Sequence, residues 1–206
     1  MLDRKGFDAW AEDYDDDINN AAQGDGYPFA GYRDIMETIY QTIMKKPGAS
    51  VLELGFGTGM LASRLYDNGC LICGQDFSER MTGIAQRKMP EARLYQGDLT
   101  EGLVPQLRKR KYDFIVLTYC LHHLTDAQKT VLITDLLKWL SEDGQILIGD
   151  VAFENEEKLA ECRERAQQKW DDEEYYFVAE RMRKHFPELV FTAISSCGGI
   201  LTLKKQ

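Results

Sequence analysis

A buried-strand pattern that runs directly into a glycine-rich turn is the feature that most limits what this chain can fold into. Residues 51–54 are apolar except for Glu53, and Gly55, Gly57 and Gly59 follow before a helical pattern begins. Glycine lets the backbone turn sharply, and it lets a ligand approach the main chain without meeting a Cβ atom. The segment therefore predicts a strand, a binding turn and a helix, although a tight turn can also need glycine for steric reasons alone.

Short apolar runs alternate with longer helical patterns from about residue 50 onward, which is typical of βαβ units and a parallel sheet. The predicted strands are residues 51–54, 71–75, 93–96, 114–117 and 145–148. Ser78 is a predicted helix N-cap, and Thr125 with Gln128 predicts a capping box. Residues 190–195 and 200–203 flank a Cys-Gly-Gly turn, which predicts a β-hairpin. We expect an α/β fold with a doubly wound, mostly parallel sheet and an antiparallel C-terminal strand.

The length of 206 residues favours one domain, which is large enough to bury a core without a disulfide or a metal. Four parts are expected: an N-terminal helical cover at 1–48, a cofactor-binding core at 49–150, a helical cover or lid at 151–187 and a terminal hairpin at 188–206. The charged stretch 154–184 predicts one or two exposed helices, with Leu159, Cys162, Ala166 and Trp170 at helical spacing. Its aromatic residues either cover a pocket at the sheet edge or pack inward from a solvated helix.

The charge balance limits the partners of the chain. It has 34 acidic and 25 basic side chains, and its net charge is −9. Residues 1–20 contain seven acidic and two basic side chains, and residues 150–174 contain ten and four. A nucleic-acid-binding protein needs the opposite excess, because lysine and arginine neutralise phosphates. We therefore expect no nucleic-acid partner and a ligand that is neutral or cationic.

The cysteines and the N-terminus indicate the compartment. Five cysteines, an odd number spread over apolar segments, indicate reduced and buried thiols. Cys70 and Cys73 match C-x-x-C, but they lie in a strand pattern and not at a helix start, where a thiolate would be stabilised. The N-terminus lacks the apolar segment of a secretory signal, and no apolar run is long enough to span a membrane. We expect a cytoplasmic protein without a membrane partner.

A carboxylate at the end of the second predicted strand adds to the glycine turn. Asp76 follows Gly59 by 17 residues. In a doubly wound sheet, ligands lie at the carboxyl ends of the strands, and an acid at this position accepts hydrogen bonds from ribose hydroxyls. The pair of features predicts a cofactor that contains a nucleoside.

The spacing of the glycines indicates which cofactor is bound. A dinucleotide fingerprint needs its third glycine at the position of Met60, one residue after Gly59. In addition, Glu53 places a carboxylate at the end of the first strand, where it would repel a diphosphate and suit a cation. S-adenosylmethionine has a ribose, an adenine, an ammonium and a sulfonium but no phosphate, and it matches this chemistry better than NAD(P).

Four motifs between residues 50 and 150 resemble those of class I S-adenosylmethionine-dependent methyltransferases. They are E-x-G-x-G-x-G at 53–59, G-x-D-x-S-x-x-M at 74–81, the Gly97-Asp98 pair, and residues 112–124 with their Leu-His-His-Leu ending. More narrowly, residues 7–15, 122–126 and 151–155 resemble the YrrT-like group of bacterial methyltransferases. The resemblance implies a Rossmann-like methyltransferase fold with a seven-stranded sheet.

The resemblance also implies which residues hold S-adenosylmethionine and its product S-adenosylhomocysteine. Gly55 and Gly57 would contact the methionine part through the backbone. Asp76 would hold the ribose hydroxyls, Asp98 would accept from the adenine amino group, and Met81 would cover a face of the adenine.

Two further cofactor residues have alternative interpretations. Glu53 either binds the ammonium group through water or orients the glycine turn. Tyr14 belongs to a Tyr-Asp pair, which in similar families folds over the cofactor; the alternative is an ordinary packing aromatic.

Two adjacent histidines are the predicted catalytic residues. Methyl transfer from a sulfonium is an in-line displacement, so the protein mainly aligns the reactants and excludes water. An O–H or N–H acceptor must still lose a proton, and His122 and His123 follow the fourth strand, where the resemblance places the acceptor. Adjacent side chains point in different directions, so we expect at most one histidine to face the pocket; alternatively, both only fix the loop before the helix that Thr125 caps. No further His or Cys lies at a ligand spacing, so no metal is predicted.

The predicted acceptor is a small molecule. The sequence has no basic stripe, no Asn/Asp-Pro-Pro-Tyr segment and no Pro-Cys pair, which are features of enzymes that methylate nucleic acids. Two alternatives remain open. One is a module that binds the cofactor without turnover, and the other is an NAD(P)-dependent oxidoreductase, against which Glu53 and Met60 count.

Overall fold

The computed structural model describes Ala11 and residues 26–205. In this part of the chain, one sheet contains eight strands. They are β1 (Ser50–Leu54), β2 (Leu71–Asp76), β3 (Arg93–Gln96), β4 (Tyr112–Thr118), β5 (Leu140–Phe153), β6 (Phe177–Val178), β7 (Val190–Ala193) and β8 (Gly198–Lys204). The helices of the same part are α1 (Tyr32–Met44), α2 (Met60–Asp67), α3 (Glu79–Lys88), α4 (Asp126–Leu137), α5 (Glu156–Ala166) and α6 (Ala179–Arg183).

The strand order confirms the predicted fold class. Seven strands run in the order β3-β2-β1-β4-β5-β8-β7, and the two-residue β6 pairs with β5 off this path. Strands β1 to β5 pair in parallel, whereas β8 is antiparallel to β5 and β7, so the C-terminal hairpin closes one edge. The chain leaves β1 toward β2 on one side and returns to β4 on the other. This reversal opens a crevice at the carboxyl ends of β1 and β4, where ligands of such sheets lie.

Apolar side chains cover both faces of the sheet. Because strand side chains alternate, Leu52 of β1 packs with Leu132 and the rest of α4 on one face, while Val51 packs with Ile39 of α1 on the other. The predicted helix starts are confirmed as well. The Ser78 hydroxyl caps α3, and Thr125 forms the capping box of α4. Among residues 26–205, no helix is long and apolar enough to cross a membrane.

The stretch after β5 differs from its predicted structure. Residues 156–166 form α5, but Gln167 has a positive φ of 48°, and the chain then leaves the helical path. Trp170 therefore lies outside the helix that its spacing predicted. Phe177 and Val178 form β6 instead, because their backbone pairs with the end of β5 and both side chains are buried. The prediction of one or two helices is right for the ends of this stretch and wrong for its middle.

Candidate active site

The glycine turn connects β1 to α2 in a left-handed backbone conformation. The φ angles are 68° at Gly55, 56° at Gly57 and 79° at Gly59, which only glycine adopts without strain. Packing adds a steric reason, because a Cβ atom on Gly55 would lie 2.6 Å from the Cβ of Cys120. The turn and α2 therefore follow from the glycine spacing.

Asp76 holds the glycine turn from the neighbouring strand. It is buried at the end of β2, and its Oδ2 accepts a hydrogen bond from the N–H of Gly57 at 2.7 Å. Its Oδ1 accepts from the N–H of Ser78 at 2.9 Å. A carboxylate offers about four acceptor sites, so Asp76 can accept several hydrogen bonds at once.

Glu53 is a buried acid without a matching donor. Its side chain is 2% exposed, and its Oε2 has no hydrogen-bond partner among the described residues. Burial and the nearby charge of Asp76 raise the pKa of Glu53 to about 8. The acid lines a small cleft with Gly55 and Tyr119 at the carboxyl ends of β1 and β4. A buried carboxyl of this kind is a place where a cation would be stabilised.

The other predicted cofactor residues flank the turn. Met81 is buried in the first turn of α3. Asp98 is half-buried after β3 and caps a short 3₁₀ turn. Its Oδ1 accepts hydrogen bonds from the backbone N–H and the hydroxyl of Thr100. Phe77, directly after Asp76, has a side chain that is 36% exposed. Tyr14 lies outside the described residues.

His122 forms a hydrogen-bonded pair with Asp150, which sequence reasoning missed. The Nδ1 of His122 lies 2.7 Å from Oδ1 of Asp150, and the carboxylate is fully buried in β5. Asp150 also accepts from the N–H groups of Val151 and Leu121. Burial opposes the charges of the pair, but their mutual attraction outweighs it, so the pKa of Asp150 is lowered and that of His122 is raised.

His123 lies beside His122, and both rings approach the carboxylate of Glu174. The two rings are 4.2 Å apart in a T-shaped arrangement. His122 Nε2 lies 3.8 Å from Oε1 of Glu174, and His123 Nδ1 lies 3.9 Å from the same oxygen. The reason is the 3₁₀ turn Leu121–His123, which does not alternate its side chains as a strand does. Burial and the charge of His122 lower the pKa of His123 to about 4.

The segment before β6 delivers Glu174 to the histidines. The N–H of Tyr175 donates to the carbonyl of His122 at 2.8 Å. The carbonyl of Tyr175 accepts from Lys129, an ammonium buried in α4 that also lies 4.4 Å from the ring centre of Phe177. Hydrogen bonds therefore tie the segment that carries Glu174 both to the histidine turn and to α4.

Comparison with known proteins identifies the family. A methyltransferase-domain family model matches residues 28–189. An uncharacterized methyltransferase of Geobacillus sp. (strain WCH70) is 32% identical over 194 residues, which cover 90% of this chain and 88% of that protein. An uncharacterized methyltransferase of Bacillus mycoides (strain KBAB4) is 34% identical over 164 residues, 79% of this chain and 74% of that protein.

The chain belongs to this methyltransferase family.

Solved structures of low sequence identity share the fold of this methyltransferase. The magnesium protoporphyrin IX methyltransferase of Synechocystis PCC 6803, solved with bound S-adenosylhomocysteine, is 19% identical and has a TM-score of 0.70, covering 99% of this chain and 100% of its own. A TehB-like methyltransferase of Corynebacterium glutamicum is 20% identical with a TM-score of 0.63, covering 96% and 99%. The family membership sets aside the oxidoreductase alternative.

The methyltransferase site also contains a strained residue that the sequence did not indicate. Tyr119 follows β4 with a φ of 48°, and its hydroxyl has no hydrogen-bond partner within residues 26–205. Strained non-glycine residues cluster at functional sites. Tyr119 shares the cleft with Glu53 and precedes His122 by three residues in the chain.

Proposed function

We propose that this methyltransferase transfers the methyl group of S-adenosylmethionine to a small-molecule acceptor by in-line displacement at the sulfonium methyl. The observation that carries the proposal is the buried Glu53 carboxyl, which lies beside Asp76 and the glycine turn without a donor. A ligand with an ammonium group and a ribose would match both acids, and a diphosphate would be repelled by both. The residues present therefore fit this cofactor.

Residues on β1, β2 and β3 would hold the cofactor. Glu53 would take the ammonium, directly or through water, while the backbone of Gly55 and Gly57 would lie against the methionine part. Asp76 would accept from the ribose hydroxyls and keep its bond to the turn. Asp98 would accept from the adenine amino group through Oδ2, which makes no hydrogen bond within the described residues.

The adenine would lie between the ends of β2 and β3. Met81 would cover one face of the ring, as its position in the first turn of α3 suggests. Phe77 offers a partly exposed aromatic ring next to Asp76 for the same purpose. Tyr14 would fold over the cofactor from the N-terminal cover of a single domain, which has residues 49–150 as its core.

When bound, S-adenosylmethionine supplies an already activated methyl group, so the chain's main contribution is alignment and the exclusion of water. Alignment of this kind lowers a barrier by about 7–11 kcal/mol. His122, His123 and Glu174 lie at the carboxyl ends of β4 and β5, next to the cofactor strand β1, and would face the acceptor. They would bind the accepting atom and take up its proton.

The acceptor would be neutral or cationic. Glu174 belongs to a segment, residues 150–174, with ten acidic and four basic side chains. The net charge of −9 disfavours a nucleic acid.

Calorimetry on the full chain tests the proposal. Binding of S-adenosylmethionine and S-adenosylhomocysteine at micromolar concentration is expected, with weak or no binding of NAD. A preference for NAD would contradict the proposal. A screen of metabolite pools with methyl-labelled cofactor then identifies the acceptor, and transfer to tRNA instead would contradict the small-molecule part.

A further inference from the structure

His122, His123 and Glu174 bring three metal-ligand atoms together. One ring nitrogen of each histidine and a carboxylate oxygen of Glu174 all lie within 4.8 Å of one another. The two nitrogen–oxygen separations are 3.8 and 3.9 Å, which is too long for hydrogen bonds. A metal ion at about 2.0–2.2 Å from each atom would need only a small contraction of the cluster.

The hydrogen bond between His122 and Asp150 is of the kind found at metal sites. A metal-binding histidine usually donates its second ring N–H to a carboxylate, which fixes the tautomer and the ring orientation. Asp150 holds Nδ1 of His122 at 2.7 Å and is itself held by two backbone N–H groups. Nε2, the nitrogen that Asp150 leaves for an ion, lies 3.8 Å from Oε1 of Glu174.

The third ligand is positioned before any ion arrives. Tyr175, next to Glu174, donates its N–H to the carbonyl of His122 and accepts from the buried Lys129. The segment that carries Glu174 is thus tied both to the histidine turn and to α4. A site that is already assembled loses less conformational entropy on binding.

We propose that His122, His123 and Glu174 bind a first-row divalent cation such as Zn²⁺, with open coordination positions for the methyl acceptor. Two imidazoles and one carboxylate suit such ions and leave coordination positions open. The acceptor's role rests on the proposed function, but the ion site does not. With the ion bound, an acceptor oxygen or nitrogen coordinated to it would release its proton to water instead of to the histidines. The deprotonated atom would be held in line with the methyl group and would take it as the bond between that carbon and the sulfonium sulfur breaks, which leaves S-adenosylhomocysteine.

Cobalt titration of tag-free, chelator-treated protein tests the site. Co²⁺ bound by two imidazoles and a carboxylate gives visible absorption bands, and we expect one equivalent to bind and Zn²⁺ to displace it. Ligation by the cysteines would be recognised by an additional thiolate-to-cobalt band in the near ultraviolet. Absence of Co²⁺ binding, or binding through thiolates, would overturn the proposal.

Matched variants locate the ion. Glu174→Gln is expected to weaken Co²⁺ binding at least tenfold, whereas its neighbour Glu173→Gln and the exposed histidine variant His185→Ala are expected to bind as the wild type does. Thermal unfolding checks that each variant folds. Equal Co²⁺ affinity in the Glu174 and Glu173 variants would overturn the proposal.

The affinity for S-adenosylmethionine separates this inference from the proposed function. It should be unchanged in Glu174→Gln, because Glu174 is not a cofactor residue. If cofactor binds and Co²⁺ does not, the metal proposal alone fails. If Co²⁺ binds and S-adenosylmethionine does not, the proposed function fails.

Discussion

Two buried carboxyls, one on each side of the switch between β1 and β4, respond to burial in opposite ways. Asp150 has a lowered pKa because His122 and two backbone N–H groups satisfy it. Glu53 is buried to the same degree, but its charged neighbour is another acid, and its pKa is raised to about 8. On the proposed acceptor side, the charges of Asp150 and His122 are paired with each other, and a gap remains between the histidines and Glu174. On the proposed cofactor side, the acid Glu53 has no partner of opposite charge within the described residues.

The largest effect is expected at Asp76, which accepts hydrogen bonds from the glycine turn and, in the proposal, from the ribose. Asp76→Ala removes the carboxylate that holds the N–H groups of Gly57 and Ser78 and that would accept from the ribose. Hydrogen bonds to a charged group contribute about 1.5–3 kcal/mol each, so the Kd for S-adenosylmethionine should rise by a factor of about 100 or more. Calorimetry measures it, with Asp67→Ala at the exposed end of α2 as the control. A rise below about tenfold would remove Asp76 from the site.

The second largest effect is expected at Asp150, and it should change Co²⁺ binding without changing cofactor binding. Asp150→Asn keeps the shape of the side chain but loses the charge that orients His122. We class Asp150 as a positioning residue, and loss of such a partner typically lowers metal affinity or activity by about 10–100-fold. Co²⁺ affinity, and turnover of the identified acceptor, should fall in that range while the Kd for S-adenosylmethionine changes less than about threefold. A parallel loss of cofactor binding would show that the two sides are not independent.

The two sides also differ in how far the sequence predicted them. Gly57, Asp76 and Ser78 follow the two strands of one β1-α2-β2 unit, and the rules for a strand followed by a glycine turn place them without further information. Asp150 was within reach of the same rules, because it follows the predicted strand 145–148 by two residues, on the ligand-bearing edge. Glu174 was not, because it is one of ten acids in its segment and is delivered by the pairing of β6 with β5, a contact with no local pattern.

A smaller effect is expected from neutralising Glu53, and it measures how much this acid destabilises the free protein. Glu53→Gln removes the charge but keeps the size, so S-adenosylmethionine should bind about 10–30-fold more weakly at pH 8. The free protein should become more stable, because a carboxyl with a raised folded-state pKa destabilises the fold increasingly above its ordinary value of 4.5. At pH 7 the gain should be about 1–3 kcal/mol in the free energy of unfolding, as measured in urea. A destabilised variant would mean that Glu53 has a donor when the cofactor is absent.

The smallest effect is a pH dependence that belongs to Glu53 alone. Asp76 from β2 faces it as a second acid, and Cys120 after β4 faces it as a thiol whose pKa is raised by burial, so neither stabilises its charge. With a pKa of about 8, Glu53 is mostly protonated in the free protein at neutral pH and must ionise to hold an ammonium. Affinity for S-adenosylmethionine should therefore rise with pH, by up to about tenfold between pH 6 and pH 7, and level off near pH 8, where an α-amino group itself begins to lose its proton.

Calorimetry in buffers of different ionisation enthalpy measures this directly. Below pH 8, binding should release close to one proton, and Glu53→Gln should remove both the proton release and the slope. If the variant keeps the slope, another group sets the pH dependence. If the wild type releases no proton, Glu53 is already ionised in the free protein. The pKa values of Glu53 and Asp150 would then differ less than the burial of Glu53 and its neighbour Asp76 imply.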